Sequence, residues 1–201
     1  MIDAGIFWNK VAAKYAKSPI ADMKAYEYTL GRTRSYLKPS DWVLEVGCGT
    51  GATALLLADG VAQIVATDLA SEMVAIGAGN AKAQGIDNVE FRVADVASSG
   101  QPEEVFDAVL AHNLLHLIED LDGGLAQIHG QLKPGGVFIS KSVCAFGTNV
   151  PLKMRLIKAV LPTMRKQNSG LIINVTSIAG YMGLPYRGVY SASKGALELI
   201  T

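Results

Sequence analysis

Short apolar runs rich in β-branched residues alternate along the chain with longer stretches of helical periodicity. The short runs predict five strands, over residues 42–46, 63–68, 89–93, 106–112 and 136–142. Helices are predicted between them over residues 52–58, 72–84 (with Ser71 as a candidate N-cap) and 121–132. Two further helices, 6–16 and 22–37, precede the first strand. This alternation predicts a doubly wound, mostly parallel α/β sheet with helices on both faces and an N-terminal helical cap.

The pattern continues beyond Ser142, which brings the expected number of strands to about six. A helix is predicted over residues 152–167, a strand over 171–175 (LIINV) and a helix from about Val189. Residues 125–143 and 157–177 share one layout: a helix end, a turn with glycine, and an apolar strand followed by serine. Either αβ units in general look alike, or the same structural unit occurs twice, from two sources.

Composition limits the classes of function. Half of the 201 residues are hydrophobic, 18% are charged and the net charge is zero, which argues against nucleic-acid binding. Cys48 and Cys144 are too few for a disulfide framework and lack metal-ligand spacing, so we expect no metal site and a cytoplasmic location. No apolar run is long enough to span a membrane, and the N-terminus lacks the pattern of a signal peptide.

A glycine-rich turn follows the first predicted strand and opens a helix. Gly47, Gly49 and Gly51 allow a ligand to approach the backbone and the helix N-terminus closely. Asp68 ends the second strand, where a carboxylate can accept hydrogen bonds from both ribose hydroxyls. Asp95 ends the third strand, in position to face an adenine amino group. These features predict a nucleoside-containing ligand at the carboxyl edge of the sheet.

The stretch EVGCGTG, starting at Glu45, resembles the first motif of class I S-adenosylmethionine-dependent methyltransferases. The resemblance continues through ATDLASEM, VADV, FDAVLAHNLLH and LKPGGVFI, and the opening FWNKVAAKY is similar to the N-terminal cap of that family. It covers residues 1 to about 158 and implies a Rossmann-like domain with S-adenosylmethionine as cofactor. It does not identify the methyl acceptor, which we expect to be a small molecule.

The resemblance also implies roles for individual residues. The three glycines, with Glu45 in the same motif, would flank the aminocarboxypropyl arm of the cofactor, and Asp68 would hold the ribose. Asp95 and Val96 would face the adenine, and Asn113 would lie at the methionine side. Tyr15 and Trp8 would close over the cofactor.

Two histidines lie where a general base would be needed if the methyl acceptor carries a proton. His112 and His116 fall at the carboxyl edge of the fourth strand. They are either candidate bases or packing and capping residues, and we favour the second alternative.

A different chemistry is suggested by the C-terminal part. Tyr190 and Lys194 are spaced to share a helix face, where the ammonium lowers the phenol pKa, and Ser177 follows a predicted strand. Residues 159–201, LPTMRKQNSGLIINVTSIAG onward to YSASKGALE, resemble the catalytic half of short-chain dehydrogenases/reductases. By that resemblance Ser177, Tyr190 and Lys194 would be the catalytic serine, tyrosine and lysine.

Several departures argue that this set is inactive. The TGxxxGxG cofactor loop and the NNAG strand of that family are absent from the sequence. Its substrate-binding lobe would follow Thr201. Since residues 136–142 already provide the fifth strand, LIINV would be a sixth strand or would compete for the same place in the sheet. A sixth strand would lie about 4.8 Å further along the sheet, which moves Ser177 by that distance from its required place. Catalytic side chains have to lie within about 0.5 Å of their productive positions.

The sequence therefore predicts one domain over residues 1–201, formed by an engineered or recombined chimera with a join near residue 158. The predicted function is S-adenosylmethionine binding, with methyl transfer to a small molecule. The alternatives are a structural hybrid without activity and, as the least favoured, an NAD(P)-dependent reductase. Self-association through the C-terminal strand is a further expectation.

Overall fold

The computed structural model describes residues 4–20, 22–96, 105–142, 162, 165 and 166. The chain divides into two compact units, Met1–Ser142 and Val143–Thr201. In the second unit, the three described residues are helical, within the helix predicted over 152–167. The predicted strand 171–175 and the helix from Val189 lie outside the described residues. The predicted single domain with a join near residue 158 stays a prediction.

Five parallel strands form one sheet in the first unit, as the sequence predicts. They are β1 (Trp42–Val46), β2 (Gln63–Asp68), β3 (Val89–Val93), β4 (Phe106–His112) and β5 (Leu132–Lys141), in the order β3-β2-β1-β4-β5. Only β5 differs from its predicted bounds: it spans Leu132–Lys141 instead of residues 136–142. Between the pairs Phe106–Leu132 and Ala108–Val137 the register shifts, and this irregularity accommodates the Lys-Pro-Gly-Gly stretch within the strand.

Five α-helices accompany the sheet: α1 (Ala4–Ala16), α2 (Met23–Arg34), α3 (Ala52–Leu57), α4 (Ser71–Gln84) and α5 (Leu121–Gly130). Asp22 caps α2 by accepting a hydrogen bond from the Ala25 backbone N–H at 2.9 Å. The predicted N-cap of α4 is wrong, because Ser71 is already the first helical residue. The cap position belongs to Ala70, which has no side-chain acceptor.

Both faces of the central strand are covered, which gives the sheet its stability. Val43 on one face of β1 is buried, and so are its paired neighbours, Ile64 on β2 and Ala108 on β4. Leu44 and Val46, on the opposite face, are 3% exposed. A strand buried on both faces is typical of a parallel sheet enclosed by helices, and it explains the continuous apolar run of β1.

The strand order changes direction at β1. The chain extends the sheet from β1 through β2 to β3, and then returns to place β4 and β5 on the other side of β1. A crevice opens at such a switch point, outside the carboxyl ends of the two strands that flank it. Here the residues that follow β1 and β4 border that crevice. The fold therefore places the candidate site at residues 47–51 and at Asn113.

Candidate functional site

The residues after β1 form a turn that only glycine can adopt easily at alternate positions. Gly47, Gly49 and Gly51 have φ angles of +66°, +56° and +75°. A β-carbon at Gly47 would lie 2.6 Å from the Leu114 side chain, and one at Gly51 would lie 2.4 Å from the Phe91 ring. We call residues 47–51 the glycine turn. Its backbone is thus fixed by close packing on two sides.

The middle glycine is different, because space lies beside it. A β-carbon at Gly49 would meet only the Tyr15 ring, at 3.8 Å, which is ordinary van der Waals contact. The turn connects to the sheet through the Cys48 N–H, which donates to the Thr67 carbonyl oxygen at 2.9 Å. The glycine turn is therefore rigid at its ends and accessible in its middle, as a backbone that receives a ligand must be.

Asp68 joins the glycine turn to the turn that follows β2. Its Oδ2 accepts a hydrogen bond from the Gly49 N–H at 2.8 Å, and its Oδ1 accepts one from the Ala70 N–H at 2.9 Å. Each carboxylate oxygen has a second lone pair that remains suited to a ligand hydroxyl. The sequence predicts Asp68 as a ligand-binding residue, and the structure places it against the glycine turn.

The residues predicted to face the adenine follow directly after β3. The Ala94 N–H donates to the Asp68 carbonyl oxygen at 3.0 Å, so the chain continues alongside β2 beyond the strand end. Asp95 is exposed and Val96 is half-buried, with its methyl group near Gly124. These residues lie on the same edge of the sheet as Asp68.

Asn113 follows β4 on the other side of the switch point. Its φ of +56° makes it the non-glycine residue with a left-handed backbone among those described. Its N–H donates to the Lys141 carbonyl oxygen at 2.6 Å, which holds this conformation, and its side chain is exposed. The next residue, Leu114, contacts Gly47. Functional sites often contain a residue whose backbone is held in such a rarely populated conformation.

Three aromatic residues of α1 are in contact with one another, and one of them lies beside the glycine turn. The rings of Trp8 and Tyr15 meet edge to face with centroids 6.1 Å apart, and those of Phe7 and Trp8 meet similarly at 5.3 Å. Trp8 packs against buried Ala70 and Met73, while the half-exposed Tyr15 ring lies beside Gly49. The structure thus brings Tyr15 and Trp8 to the two turns that Asp68 connects.

Glu45 and His112 form a buried pair beneath the site. Glu45 is 2% exposed, and its Oε1 lies 3.9 Å from His112 Nδ1. Burial raises the pKa of Glu45 from 4.5 to about 8, with nearby Asp68 adding to the effect. Burial, with the charge of Lys141, lowers the pKa of His112 from 6.5 to about 4. Although the distance allows an ion pair, both shifts favour the uncharged forms at neutral pH.

One oxygen of this pair is without a partner. Glu45 Oε2 is buried and makes no hydrogen bond within the described structure. A buried polar atom of this kind costs free energy unless a ligand or solvent molecule satisfies it. Glu45 therefore offers an acceptor directly behind the glycine turn.

We expect the Glu45→Gln substitution to change how stability depends on pH. In the unfolded chain Glu45 ionises above about 4.5, whereas the folded protein retains its proton up to about 8. Wild type therefore loses stability as the pH rises through this window, and glutamine, which cannot ionise, does not. The free energy of unfolding of the variant should improve relative to wild type by ~2 kcal/mol or more between about pH 5 and pH 8.

Urea unfolding at a series of pH values measures this difference. His112 acts in the opposite direction, since its stabilising effect is lost as the pH falls from 6.5 to about 4, so the difference between variant and wild type isolates Glu45. Glu27→Gln, at an exposed position of α2, is the matched control. Parallel curves for wild type and Glu45→Gln would contradict the assignment.

The two candidate bases differ in their surroundings. His112 Nε2 lies 3.5 Å from the Thr33 hydroxyl of α2, and the imidazole is buried between that helix and Glu45. These contacts support packing as its role. His116 lies in a short 3-10 turn, Leu115–Leu117, and its Nδ1 is buried without a hydrogen-bond partner. The candidate catalytic residues of the reductase type, Ser177, Tyr190 and Lys194, lie outside the described residues.

The sequence gives no indication of Asn9, although the structure connects it to the site. Asn9 Oδ1 accepts a hydrogen bond from the Glu72 N–H at 2.9 Å and lies 3.5 Å from the Ser71 hydroxyl. It therefore supplies the acceptor that Ala70 lacks at the start of α4. Asn9 is a polar residue on α1, and the sequence around it does not indicate a contact with α4.

The strand order, with the glycine turn and the acidic end of β2 at its switch point, defines a Rossmann-like fold. Residues 43–136 match the family model described as a methyltransferase domain, and residues 141–201 match that described as a short chain dehydrogenase. The chain thus joins a methyltransferase-like part to a short-chain dehydrogenase-like part, as the sequence predicts. The second match begins upstream of residue 159.

Relatives of two kinds match the two parts. The chain is 33% identical over 129 residues to demethylmenaquinone methyltransferase of Clavibacter sepedonicus, which is 62% of this chain and 51% of that protein. It is 60% identical over 45 residues to 3-ketodihydrosphingosine reductase of Bacteroides thetaiotaomicron, which is 22% of this chain and 17% of that protein. The chain therefore spans about half or less of the length of these curated relatives.

Solved structures confirm the fold. The DhpI–SAH complex matches with a TM-score of 0.62 at 24% identity, covering 77% of this chain and 84% of that one. This likeness shows that the chain shares the fold of that structure. No helix in the described part of the chain is both long enough and apolar enough to cross a membrane.

Proposed function

We propose that the first unit binds S-adenosylmethionine at the glycine turn and acts as a methyltransferase on a small-molecule acceptor. The observation that carries the proposal is the alternating left-handed glycine turn, held to the acidic end of β2 by the Gly49–Asp68 hydrogen bond at the switch point of the sheet. The match to the methyltransferase family model and the likeness to a complex with SAH support it.

The residues present suit the chemical groups of this cofactor. The open backbone at Gly49 can receive its amino-acid arm, and the unpartnered Glu45 Oε2 can accept a hydrogen bond from an ammonium group. Asp68 provides lone pairs for ribose hydroxyls. We assign the adenine to Asp95 and Val96, and the methionine side to Asn113.

When bound, the cofactor supplies an electrophilic methyl group on a sulfonium, which an in-line nucleophile accepts. The chain itself has to position the reactants and exclude water. The aromatic rings of Tyr15 and Trp8, beside the two ligand-binding turns, are suited to that exclusion. The uncharged His112, enclosed by Thr33 and Glu45, is suited to supporting the sheet edge.

Calorimetric titration of the full chain with S-adenosylhomocysteine tests the proposal. We expect saturable heat with one ligand per chain, because the glycine turn and Asp68 are already arranged in the described structure. Absence of saturable heat would reject the cofactor and favour the alternative of a fold hybrid without activity. S-adenosylmethionine in the same titration should also bind.

A reductase is the second candidate, because residues 141–201 match the short chain dehydrogenase model. We propose that Ser177, Tyr190 and Lys194 are inactive in this chain, since the only glycine-rich turn after a first strand has the methyltransferase spacing. Mixing the protein with NADH and a panel of ketones should leave the nicotinamide absorbance unchanged. A loss of absorbance that Tyr190→Phe abolishes would support the reductase instead.

A further inference from the structure

The contact between α1 and α4 has an unusual form, because one helix supplies the cap of the other. In most helices the residue at the N-cap accepts a hydrogen bond from the second or third helical N–H. In α4 the cap residue is Ala70, and no side chain of its own segment caps the helix. Asn9 Oδ1 accepts from the N–H of Glu72, the second helical residue, at 2.9 Å. Asn9 thus performs the N-cap function from another helix.

This hydrogen bond lies next to the one made by Asp68. Asp68 Oδ1 accepts from the Ala70 N–H, while Asn9 Oδ1 accepts from the Glu72 N–H two residues later. The two acceptors therefore hold the same turn, one from the end of β2 and one from α1. A movement of α1 would change the support of the turn that carries Asp68.

The same helix carries Tyr15. Trp8 and Ala12 pack with Ala70 and Met73 in a small buried cluster, and the Trp8 ring meets the Tyr15 ring edge to face. Tyr15 in turn lies beside Gly49, at 3.8 Å from the position of a β-carbon there. The apolar contacts of this cluster do not fix the position of α1 along its own axis relative to α4. A hydrogen bond between two defined atoms does fix that position.

We propose that Asn9 is a positioning residue for the cofactor site: by capping α4 from α1, it holds Tyr15 over the glycine turn in register with Asp68. The proposal rests on the proposed function for its ligand, but its structural part concerns only the described residues. Asn9 does not need to touch the cofactor.

The test uses the full chain in a Trp42→Phe background. Trp42 is the only tryptophan besides Trp8 and lies half-exposed at the start of β1, so its replacement leaves Trp8 as the fluorescent reporter of α1. Asn9→Ala should shift the Trp8 emission to longer wavelength and weaken S-adenosylhomocysteine binding about fivefold or more. Asn9→Asp, whose carboxylate can accept from the same N–H, should restore both properties to within about twofold.

Two further variants separate positioning from general destabilisation. Asp22→Ala removes the cap of α2, a comparable loss outside α1 and α4, and should leave the affinity for S-adenosylhomocysteine and the Trp8 emission unchanged. In a Tyr15→Ala background, Asn9→Ala should cause no further loss of affinity beyond about twofold, because the residue through which it acts is gone.

Several results would overturn the proposal. Asn9→Ala could leave the Trp8 emission unchanged, or Asn9→Asp could fail to restore the wild-type emission. Asp22→Ala could weaken binding as much as Asn9→Ala does, or the losses of affinity from Asn9→Ala and Tyr15→Ala could be additive. If wild type binds no S-adenosylhomocysteine, the proposed function fails by itself. The emission of Trp8 in the Asn9 variants then still decides whether Asn9 holds α1 in place.

Discussion

The substitution Asp68→Ala is expected to weaken S-adenosylhomocysteine binding at least ~100-fold, which corresponds to about 2.7 kcal/mol. Two charge-assisted hydrogen bonds would be lost, one to the Gly49 N–H at 2.8 Å and one to the Ala70 N–H at 2.9 Å. The glycine turn would lose its connection to the end of β2, and the ligand would lose the acceptor that we assign to its ribose. Both effects reduce affinity, and calorimetric titration measures their sum.

Charge and fold stability must be controlled in that experiment. Asp59→Ala removes an exposed carboxylate that pairs with Arg34 on the surface, and it should leave the affinity within about twofold of wild type. Urea unfolding of Asp68→Ala should show a loss of ~2 kcal/mol, small enough to leave the sheet folded. Affinity equal to wild type in a folded Asp68→Ala protein would contradict the proposed site.

Gly51→Ala is expected to reduce the free energy of unfolding by ~3 kcal/mol or more. The residue has a φ of +75°, which costs alanine about 1–2 kcal/mol. The new β-carbon would also lie 2.4 Å from the Phe91 ring, which is packed between Gly51 and Gly77 and cannot move without disturbing α4. Urea unfolding measures the loss.

Two variants divide this loss into its causes. Gly79→Ala lies within α4 with no atoms near its β-carbon position, and it should stabilise the protein by ~0.5–1 kcal/mol. Phe91→Leu combined with Gly51→Ala should remove the steric part and leave the backbone part. If Gly51→Ala behaved like Gly79→Ala, the left-handed glycine turn would not be present in solution.

Most of the sheet could be predicted from the sequence, because each strand is a local pattern. The bounds of β1 to β4 agree with the apolar runs, and the glycine spacing identified the turn. The start of β5 could not be predicted, since it depends on Leu132 pairing with Phe106 on a neighbouring strand. The Lys-Pro-Gly-Gly stretch has the composition of a turn and is placed in a strand by that pairing.

The parts of the site that the sequence did not predict depend on distant residues. Ser71 has the right chemistry for an N-cap but is itself the first residue of α4, and the acceptor comes from Asn9, 63 residues before Glu72. The raised pKa of Glu45 likewise requires the burial of its side chain in the folded sheet, beside His112 of β4. Local pattern indicates where a helix begins, but it does not identify a partner elsewhere in the chain.

The long separation between Asn9 and Glu72 also has a consequence for the order of folding. Their hydrogen bond closes a loop that spans 63 positions and contains α2, β1, α3 and β2, so forming it costs more chain entropy than forming the local contacts within these elements. We therefore expect α1 to join the domain late during folding, and to detach first when the native protein opens locally. Native-state hydrogen exchange should show the amides of α1 exchanging with less protection than those of β1 and β2.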